Sequence, residues 1–373
     1  MVRLGDVVTV SASTKKLDSE EIWLLNLDMV EQQTGYIISY NYVSADKLNG
    51  SIIQFDTENV LYSKLRPNLN KVVVPSQSGF ATSEMLPLRP DISILTREYL
   101  AAYLRSDGFV KWAVLKTSGA KMPRLGTKEL LNKEVPVPTL EKQNYITKIL
   151  EKIDNLISLR KQQLAKLDEL VKARFVEMFG GITETVPLSY YIMALSAGKS
   201  LAGEEVCPNK VLKTGAATYD EFDPTQVKNL PINYIPQPEH LIKSGDVIIS
   251  RMNTAELVGA AAYVWEAPSN TYLPDRLWRA ELKRNSHPIF VWQSLIQSTA
   301  KESIRSIASG TSGSMKNISK PGLLGIHIKK VGLDVQLEFS NYVERVHRQK
   351  LTIQQSLDKL EVLKKSLMQE YFG

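Results

Sequence analysis

The chain of 373 residues carries a formal charge of +6, with 43% hydrophobic and 23% charged side chains. This length exceeds one ordinary domain and predicts two globular domains with connecting helices, while no apolar run reaches the roughly 18 residues that a membrane span needs. The single Cys207 excludes an internal disulfide and, with an N-terminus that lacks a secretory signal, predicts a cytoplasmic protein.

The mild positive charge permits a polyanionic partner but does not require one. The first half opens on RLGDVV at Arg3 and contains a β-branched stretch, NVLYSKLRPN, at Asn59–Asn68. That stretch runs into a serine and a base, Ser63 and Lys64. β-branched residues bounded by turn residues are typical of a strand, so we expect a short strand followed by a polar loop.

Pro136 and Pro138 precede a segment, Glu141–Phe179, that contains neither proline nor glycine. The prolines cannot lie inside a helix, so they end the last strand of the globular domain and precede the helix. Apolar residues at every seventh position predict a coiled-coil seam of about five heptads. These residues are Leu150, Ile157, Leu164, Val171 and Met178, with Ile146, Ile149, Ile153, Leu167 and Leu170 at intermediate positions.

The second half repeats this order. PLSYYI at Pro187 is the counterpart of RLGDVV, and DVIISRMNTA at Asp246–Ala255 is a second β-branched stretch that ends on Ser250 and Arg251. A second apolar stripe predicts a second long helix. It comprises Phe339, Val346, Ile353, Leu360 and Leu367, with Val343 and Leu357 beside them.

An internal repeat relates the two halves, because Met122–Gly180 aligns without a gap with Met315–Gly373. Gln143 then matches Gln336, and each copy ends in phenylalanine and glycine. The match includes the segment before the helix, so chance similarity between two amphipathic helices is the weaker interpretation. The period is far longer than that of a solenoid. We interpret the repeat as a tandem duplication of a globular domain followed by a helix.

These elements predict an α+β fold in which two similar globular domains are separated by a long antiparallel two-helix coiled coil, with a pseudo-two-fold internal repeat. A long helix with one apolar stripe is unstable alone in water, and the other copy supplies a matching stripe. At about 1.5 Å per residue each helix would be a rod of roughly 58 Å. The predicted segments are 1–139 (first domain), 140–180 (first spacer helix), 181–331 (second domain) and 332–373 (second spacer helix).

Catalytic motifs are not visible in the sequence. NLPINY at Asn229–Tyr234 is only weakly similar to the turn of amino-methyltransferases, because Ile232 replaces the second proline. No phosphate-binding or nucleophile motif is present. The histidines lie at no metal-ligand spacing with Cys207 or with one another; they are His240, His287, His327 and His347. We therefore predict no catalytic residue, no metal and no cofactor in this chain.

Polar loops carry residue types suited to reading base edges. Arginine and lysine pair with guanine, whereas asparagine and glutamine pair with adenine. Each residue alone is more typical of a solvated surface, but as a set they favour contact with a nucleic-acid groove, where many will touch phosphate. The candidates in the first half are Lys64, Arg66, Asn68, Asn70, Lys71, Lys121 and Arg124. Those in the second half are Arg251, Asn253, Arg276, Arg279, Lys316 and Asn317. Trp265, Trp278 and Tyr272 are predicted to be core residues.

The order of these parts resembles the specificity subunits of type I restriction-modification systems over nearly the whole chain. The resemblance is carried by SGAKMPRLGTKELLNKEVPVPTLEKQNYITKIL, with Gly119, Arg124, Pro136, Pro138 and Gln143. The second copy, SGTSGSMKNISKPGLLGIHIKKVGLDVQ, lacks both prolines but keeps Gly310, Gly313, Lys316 and Gln336. GDVIISRMNTAELVGAAAYV, residues 245–264, is similar to the family's central strand-and-turn element.

The resemblance implies a subunit without catalytic activity, in which each target-recognition domain reads one half of a bipartite, asymmetric site on double-stranded DNA. The helices would set the unread spacer and dock two adenine-methyltransferase modification subunits, and restriction/translocase subunits would join them. S-adenosylmethionine, ATP and magnesium would bind those partners, whose pocket would also receive the flipped adenine. From the residues alone, an enzyme acting by itself and a coiled-coil scaffold that spaces two protein-binding modules remain open alternatives.

Overall fold

The computed structural model describes residues 1–14, 21–44, 50–310 and 315–373. The chain forms two compact units, the first comprising Met1–Gln162 with Ile353–Gly373 and the second Gln163–Thr352. This division crosses both long helices, so each unit contains part of each helix. The predicted segment boundaries stay a prediction, and Gly313 lies outside the described residues.

The first unit contains short strands, short helices and parts of two long helices. Its strands are β1 (Val2–Arg3), β2 (Val8–Val10), β3 (Glu21–Leu25), β4 (Tyr42–Ser44), β5 (Ile52–Phe55), β6 (Val60–Ser63), β7 (Val72–Val73), β8 (Gly79–Thr82), β9 (Met85–Pro90), β10 (Thr117–Ser118), β11 (Arg124–Leu125) and β12 (Glu134–Val135). Its helices are α1 (Leu4–Val7), α2 (Arg97–Leu104), α3 (Asp107–Leu115), α4 (Thr127–Leu131) and the first part of α5 (Leu140–Phe179).

Two sheets organise this unit. One is antiparallel with the strand order β2-β9-β6-β7, and the other has the order β4-β3-β8-β5 with β3 and β8 parallel. The β-branched strand predicted before Ser63 is β6, which lies inside the antiparallel sheet with all four residues buried. Strand β1 pairs with β12 through Val2 and Val135 and so joins the start of the domain to the segment before α5.

The second unit contains the remaining elements. Its strands are β13 (Thr185–Pro187), β14 (Ile192–Ser196), β15 (Lys210–Leu212), β16 (Val227–Asn229), β17 (Val247–Ser250), β18 (Met252–Asn253), β19 (Ala261–Tyr263), β20 (Thr271–Tyr272), β21 (Leu277–Leu282), β22 (Lys316–Asn317) and β23 (His327–Lys329). Its helices are α6 (Pro288–Leu295), α7 (Ser298–Ser306), α8 (Lys320–Leu324), the last part of α5 and the first part of α9 (Leu333–Phe372).

The sheet plan of the first unit recurs in the second. An antiparallel sheet has the order β14-β21-β17-β19, and a second sheet, β16-β15-β20, again contains one parallel pair, β15 with β20. The second predicted β-branched strand is β17, which is as fully buried as β6. Strand β13 pairs with β23, as β1 pairs with β12. The duplication therefore extends through domains whose sequences differ.

A buried glutamine fixes the start of each long helix to its domain. In the first unit, Gln143 Oε1 accepts a hydrogen bond from the Thr96 amide (2.8 Å), and Nε2 donates to the carbonyl groups of Ile94 (2.7 Å) and Pro138 (2.8 Å). Its side chain satisfies three backbone groups that helix and sheet leave without partners. The matching residue of the second helix is Gln336.

Ion pairs within each unit show that the two long helices run antiparallel. Pairs in the first unit join Asp154 to Lys364 (2.6 Å) and Lys161 to Glu361 (3.9 Å). Pairs in the second unit join Asp168 to Lys350 (2.6 Å) and Arg174 to Glu338 (2.9 Å). In both units residue numbers rise along one helix as they fall along the other. The predicted α+β fold with duplicated domains and an antiparallel helix pair is confirmed.

The sevenfold positions of both predicted apolar stripes are buried or half-buried, and the departure lies at an intermediate position. Val171, Phe339 and Val346 are buried as predicted, but Leu170 is 49% exposed. The buried side of α5 instead steps from Val171 to Phe175 and Phe179, because at 3.6 residues per turn positions four apart stay on one face of a straight helix.

Aromatic residues close the far end of each helix. In the second unit, Phe179 packs edge-to-face on Phe175, Phe290 and Phe339 and is fully buried. Its repeat counterpart, Phe372, packs on Tyr99 and Tyr103 in the first unit. The centroid of the Phe372 ring lies 5.2 Å from that of Tyr99 and 6.1 Å from that of Tyr103. The phenylalanine that ends each copy of the repeat is thus a core residue of a domain.

Candidate nucleic-acid interface

In the first unit, the loop after β6 lies against the strand β11. The Leu125 amide donates a hydrogen bond to the Lys64 carbonyl (2.9 Å), and the Arg66 amide donates to the Pro123 carbonyl (2.8 Å). The turn between β10 and β11 carries Lys121, which is exposed. The structure therefore brings together two groups of predicted residues that lie far apart in sequence.

The loop then turns through a short 3-10 segment, Pro67–Leu69. Arg66 and Asn70 flank this segment, and both have left-handed backbone conformations, with φ of 50° and 51°. Asn68 lies on the turn with its side chain exposed, and its carbonyl accepts a hydrogen bond from Gln33 Nε2 (3.0 Å). Such conformations are uncommon for residues other than glycine and asparagine, so the one at Arg66 is strained, and strained residues concentrate at functional sites.

Two predicted residues of this loop hold the domain together. Asn70 is 5% exposed, and its Nδ2 donates to the Arg105 carbonyl (3.0 Å). Lys71 Nζ donates to the Leu27 carbonyl, and desolvation by burial lowers the pKa of this amine despite the nearby Asp28. These contacts give both side chains a role in positioning the loop.

Arg124 forms a two-pronged ion pair with Glu84. Its Nη2 lies 2.9 Å from Glu84 Oε1, and its Nε lies 3.1 Å from both carboxylate oxygens. This hydrogen bonding holds the pKa of Glu84 below its usual value, and the charge of Lys64 acts in the same direction. Glu84 therefore partly neutralises two of the predicted DNA-facing cations.

We call the loop after β6 together with strand β11 the first frame. The second unit builds a matching second frame from the loop after β17 and strand β22. The Arg251 amide donates to the Arg276 carbonyl (3.1 Å), and the Ile318 amide donates to the Arg251 carbonyl (3.0 Å). Strand β18 then pairs with β22, placing Asn253 opposite Lys316. The predicted residues of this half also converge, through the same two chain segments as in the first unit.

The side chains on this second frame are different. Arg251 lies over the Trp278 ring at 5.6 Å, and its Nε is 3.4 Å from Asn317 Oδ1. Asn253 Nδ2 lies 3.4 Å from Thr218 Oγ1, and Lys316 Nζ donates to the Gly310 carbonyl (2.7 Å). A stacked arginine beside two amides is thus the counterpart of the cationic loop in the first unit.

Arg276 and Arg279 have different environments. Arg276 is exposed next to the frame, whereas Arg279 donates to the carbonyl groups of Leu241 (3.0 Å) and Glu239. Arg279 also lies 3.6 Å from Asp246, whose pKa is raised because desolvation outweighs this cation. Arg279 therefore stabilises the fold. Contact of the candidate residues with DNA stays a prediction.

A small cavity of about 160 Å³ lies beside Thr218, the partner of Asn253. It is lined by two cations that the sequence did not indicate as candidate site residues. Lys301 pairs with Asp220, and Arg305 donates to the Glu256 carbonyl (2.7 Å). Their spacing of four residues on α7 places them on one helix face, which could have indicated a basic surface. The adjacent sequence pattern does not reveal that this face lies near the loop after β17.

The two tryptophans predicted to be core residues, Trp278 and Trp265, differ in burial. Trp278 is a core residue, as predicted, but it also supports Arg251. Trp265 is half-buried and stacks on His347 with the ring centroids 3.6 Å apart.

In residues 1–14, 21–44, 50–310 and 315–373 no cluster of three metal-ligating side chains occurs. None of the helices in these ranges has the length and apolar character of a membrane span.

A family model, Type I restriction modification DNA specificity domain, matches residues 1–169. These residues include the first frame and the beginning of α5. The chain is similar to the type I restriction-modification specificity subunits. The resemblance proposed from the order of the sequence elements is confirmed.

Curated specificity subunits show the same relationship. The chain is 25% identical over 185 residues to the type I restriction enzyme EcoDI specificity subunit of Escherichia coli, covering 48% of this chain and 41% of that protein. It is 27% identical over 195 residues to the MjaVIII specificity subunit of Methanocaldococcus jannaschii, covering 47% of this chain and 45% of that protein. The chain thus spans less than half the length of these curated relatives.

Solved structures extend the similarity of fold to the whole chain. A type I restriction-modification S subunit from M. genitalium aligns with a TM-score of 0.62 at 12% identity, covering 100% of this chain and 95% of that one. A chain from a study titled "Structural basis underlying complex assembly and conformational transition of the type I R-M system" aligns with a TM-score of 0.60 at 16% identity, covering 100% and 96%. At these identities the likeness establishes the fold.

Proposed function

We propose that this chain is the non-catalytic DNA specificity subunit of a type I restriction-modification complex. Each domain reads one half of a bipartite, asymmetric target on double-stranded DNA. The observation that carries this proposal is the duplicated frame, in which the loops after β6 and β17 meet the β11 and β22 strands through equivalent backbone bonds. Two frames with equivalent backbone bonds but unlike side chains suit two domains that recognise different half-sites.

The paired helices set the unread spacer and dock two adenine-methyltransferase modification subunits. We assign this docking to apolar side chains of the two helices that are exposed in the isolated chain. In the first unit these residues are Leu156, Leu159, Val362 and Leu363. In the second unit they are Leu170, Val176 and Leu351. We expect half-site centres about one to one and a half DNA turns apart, from the helix length at about 1.5 Å per residue.

S-adenosylmethionine is held by the modification subunits, and ATP with magnesium by restriction/translocase subunits that join the complex. The methyltransferase pocket also accepts the adenine flipped out of the duplex. The chain works in the cytoplasm, where it meets these partners and DNA. Its mild net charge of +6 fits a subunit whose partners share the grip on DNA.

Co-expression with the modification subunits in a host without adenine methylation tests this function. Single-molecule sequencing should show methylation at one two-part motif with unlike halves and an unread spacer. A single continuous motif would contradict the proposal. A tight complex that leaves DNA unmethylated and unbound would instead favour the scaffold alternative.

Two simpler measurements test the division of labour. The purified chain, incubated with DNA, magnesium and S-adenosylmethionine, should neither cleave nor methylate the DNA. In gel-shift titrations it should bind DNA weakly alone and more tightly with the modification subunits. Equal affinities in the two titrations would argue against shared DNA contacts.

A further inference from the structure

We propose that Arg66 reads a guanine in the half-site of the first domain, with its guanidinium group donating to O6 and N7 in the major groove. This assignment rests on the proposed function and narrows it to one residue and one base. Among the cations of the first frame, Arg66 differs from its neighbours in charge environment, backbone conformation and the rigidity of its support.

The charge environment separates Arg66 from Arg124, Lys64 and Lys71. Arg124 is bound to Glu84 through two nitrogens, and the charge of Lys64 also acts on that carboxylate. Lys71 donates to a backbone carbonyl. In the part of the chain that the structure describes, no ion pair or hydrogen bond engages the Arg66 side chain, which is exposed. Its guanidinium group is therefore available to a ligand.

The backbone beneath Arg66 is held firmly. Its amide donates to the Pro123 carbonyl (2.8 Å), and its carbonyl accepts from the Leu69 amide (2.9 Å). Asn70, at the other end of the turn, is anchored by its amide to the Pro67 carbonyl (2.9 Å) and by its side chain to Arg105. A side chain that must meet a base edge with two parallel hydrogen bonds benefits from such a fixed origin.

The left-handed conformation is the second independent sign. Arginine has no intrinsic preference for a φ of 50°, and the following proline restricts it further. Glycine or asparagine would adopt this conformation more readily. A long cation at a strained, exposed position is therefore explained best by a role of its guanidinium group.

Guanine is the base that fits this group. Arginine donates two parallel hydrogen bonds to guanine O6 and N7, a pairing that discriminates against other bases by about 10- to 100-fold. Lys121, an exposed cation on the turn between β10 and β11, offers a point charge rather than a fork and suits phosphate.

The test uses the full chain assembled with the modification subunits, as the wild type and as Arg66→Gly, Arg66→Lys and the control Arg3→Gln. Methylation maps should show that Arg66→Gly removes the requirement for one guanine in one half-site and leaves the other half-site unchanged. Arg66→Lys should weaken the same preference, and Arg3→Gln, an exposed cation on β1, should leave the motif intact.

Competition binding with duplexes in which that guanine is replaced measures how strongly the complex discriminates against other bases. The wild-type complex should lose about 10- to 100-fold in affinity, whereas the Arg66→Gly complex should bind both duplexes equally. Glycine preserves the left-handed turn, so an unchanged motif in Arg66→Gly would show that Arg66 serves only the fold and would overturn the inference. A uniform loss at all sites with the same motif, or a change at an A·T pair, would also overturn it. Absence of any two-part motif in the wild type would instead refute the proposed function.

Discussion

Gln143 and Gln336 make the same three hydrogen bonds in the two halves of the chain. Gln336 Oε1 accepts from the His287 amide (2.8 Å), and its Nε2 donates to the carbonyl groups of Asn285 (3.1 Å) and Val331 (2.8 Å). Both glutamines are fully buried. The duplication has therefore kept the joint between domain and helix while the surrounding residues changed.

Replacing Gln143 with leucine should destabilise the first unit by about 2–5 kcal/mol, because the Thr96 amide and two carbonyl groups would lose their partners in a buried site. Hydrogen exchange of the full chain would measure this locally. Gln336→Leu should have the matching effect in the second unit. Gln162→Leu is the control, because this exposed glutamine should change exchange little; equal losses in Gln143→Leu and Gln162→Leu would refute the role.

Glu84→Gln should strengthen non-specific DNA binding by the complete complex, because it frees Arg124 and Lys64 from a negative charge. The logarithm of the binding constant should fall more steeply with the logarithm of salt concentration, by about one further unit of slope. Salt titrations of binding would measure this. Glu98→Gln, which removes the partner of Arg97 on α2, is the matched control and should leave the slope unchanged. An unchanged slope in Glu84→Gln would show that the first frame does not face DNA.

Phe179→Ala should weaken the second unit by about 3–5 kcal/mol, because it leaves a cavity among three aromatic rings. Exchange protection should fall in the second unit. Phe372→Ala should act on the first unit through Tyr99 and Tyr103. Val176→Ala, at a position 62% exposed on the same helix, should cost under about 0.5 kcal/mol. The same loss for Val176→Ala and Phe179→Ala would contradict this account.

His347 should make the second unit sensitive to mild acid. Desolvation by burial lowers its pKa from 6.5, the charges of Lys350 and Arg348 act in the same direction, and Glu221 opposes them. The folded state then binds fewer protons than the unfolded chain, so this contribution is complete above about pH 6.5 and is lost as the pH falls through the folded-state pKa.

The melting temperature of the wild type should therefore fall more between pH 7.5 and 5.5 than that of His347→Phe, which keeps a ring to stack on Trp265. His287, whose pKa is also lowered by desolvation, is present in both proteins and provides the common background. Parallel losses in the two proteins would remove His347 as the cause.

The sequence allowed accurate prediction of features set by local pattern. The first long helix was expected from Glu141 and begins at Leu140, and both β-branched stretches form buried central strands, β6 and β17. Prolines, periodicity and β-branching act within a few residues, so one sequence suffices to read them.

Features set by distant partners were not predictable. The pairing of Arg124 with Glu84 joins positions forty residues apart, and nothing adjacent to Arg279 marks its bonds to Leu241 and Glu239. The positive φ of Arg66 was hidden for another reason, because arginine does not signal a left-handed turn as glycine does. The match between β15–β20 and β3–β8 was concealed because unlike side chains can occupy the same sheet plan.

The first compact unit needs Ile353–Gly373, whereas the second is one continuous stretch, Gln163–Thr352. On the ribosome, the second unit can therefore complete its fold while the first still lacks a segment. Ile146 and Leu150 remain without their full cover until the last turns of α9 emerge. The first unit is thus begun first and completed after the second, so part of its apolar core stays uncovered for longer during synthesis.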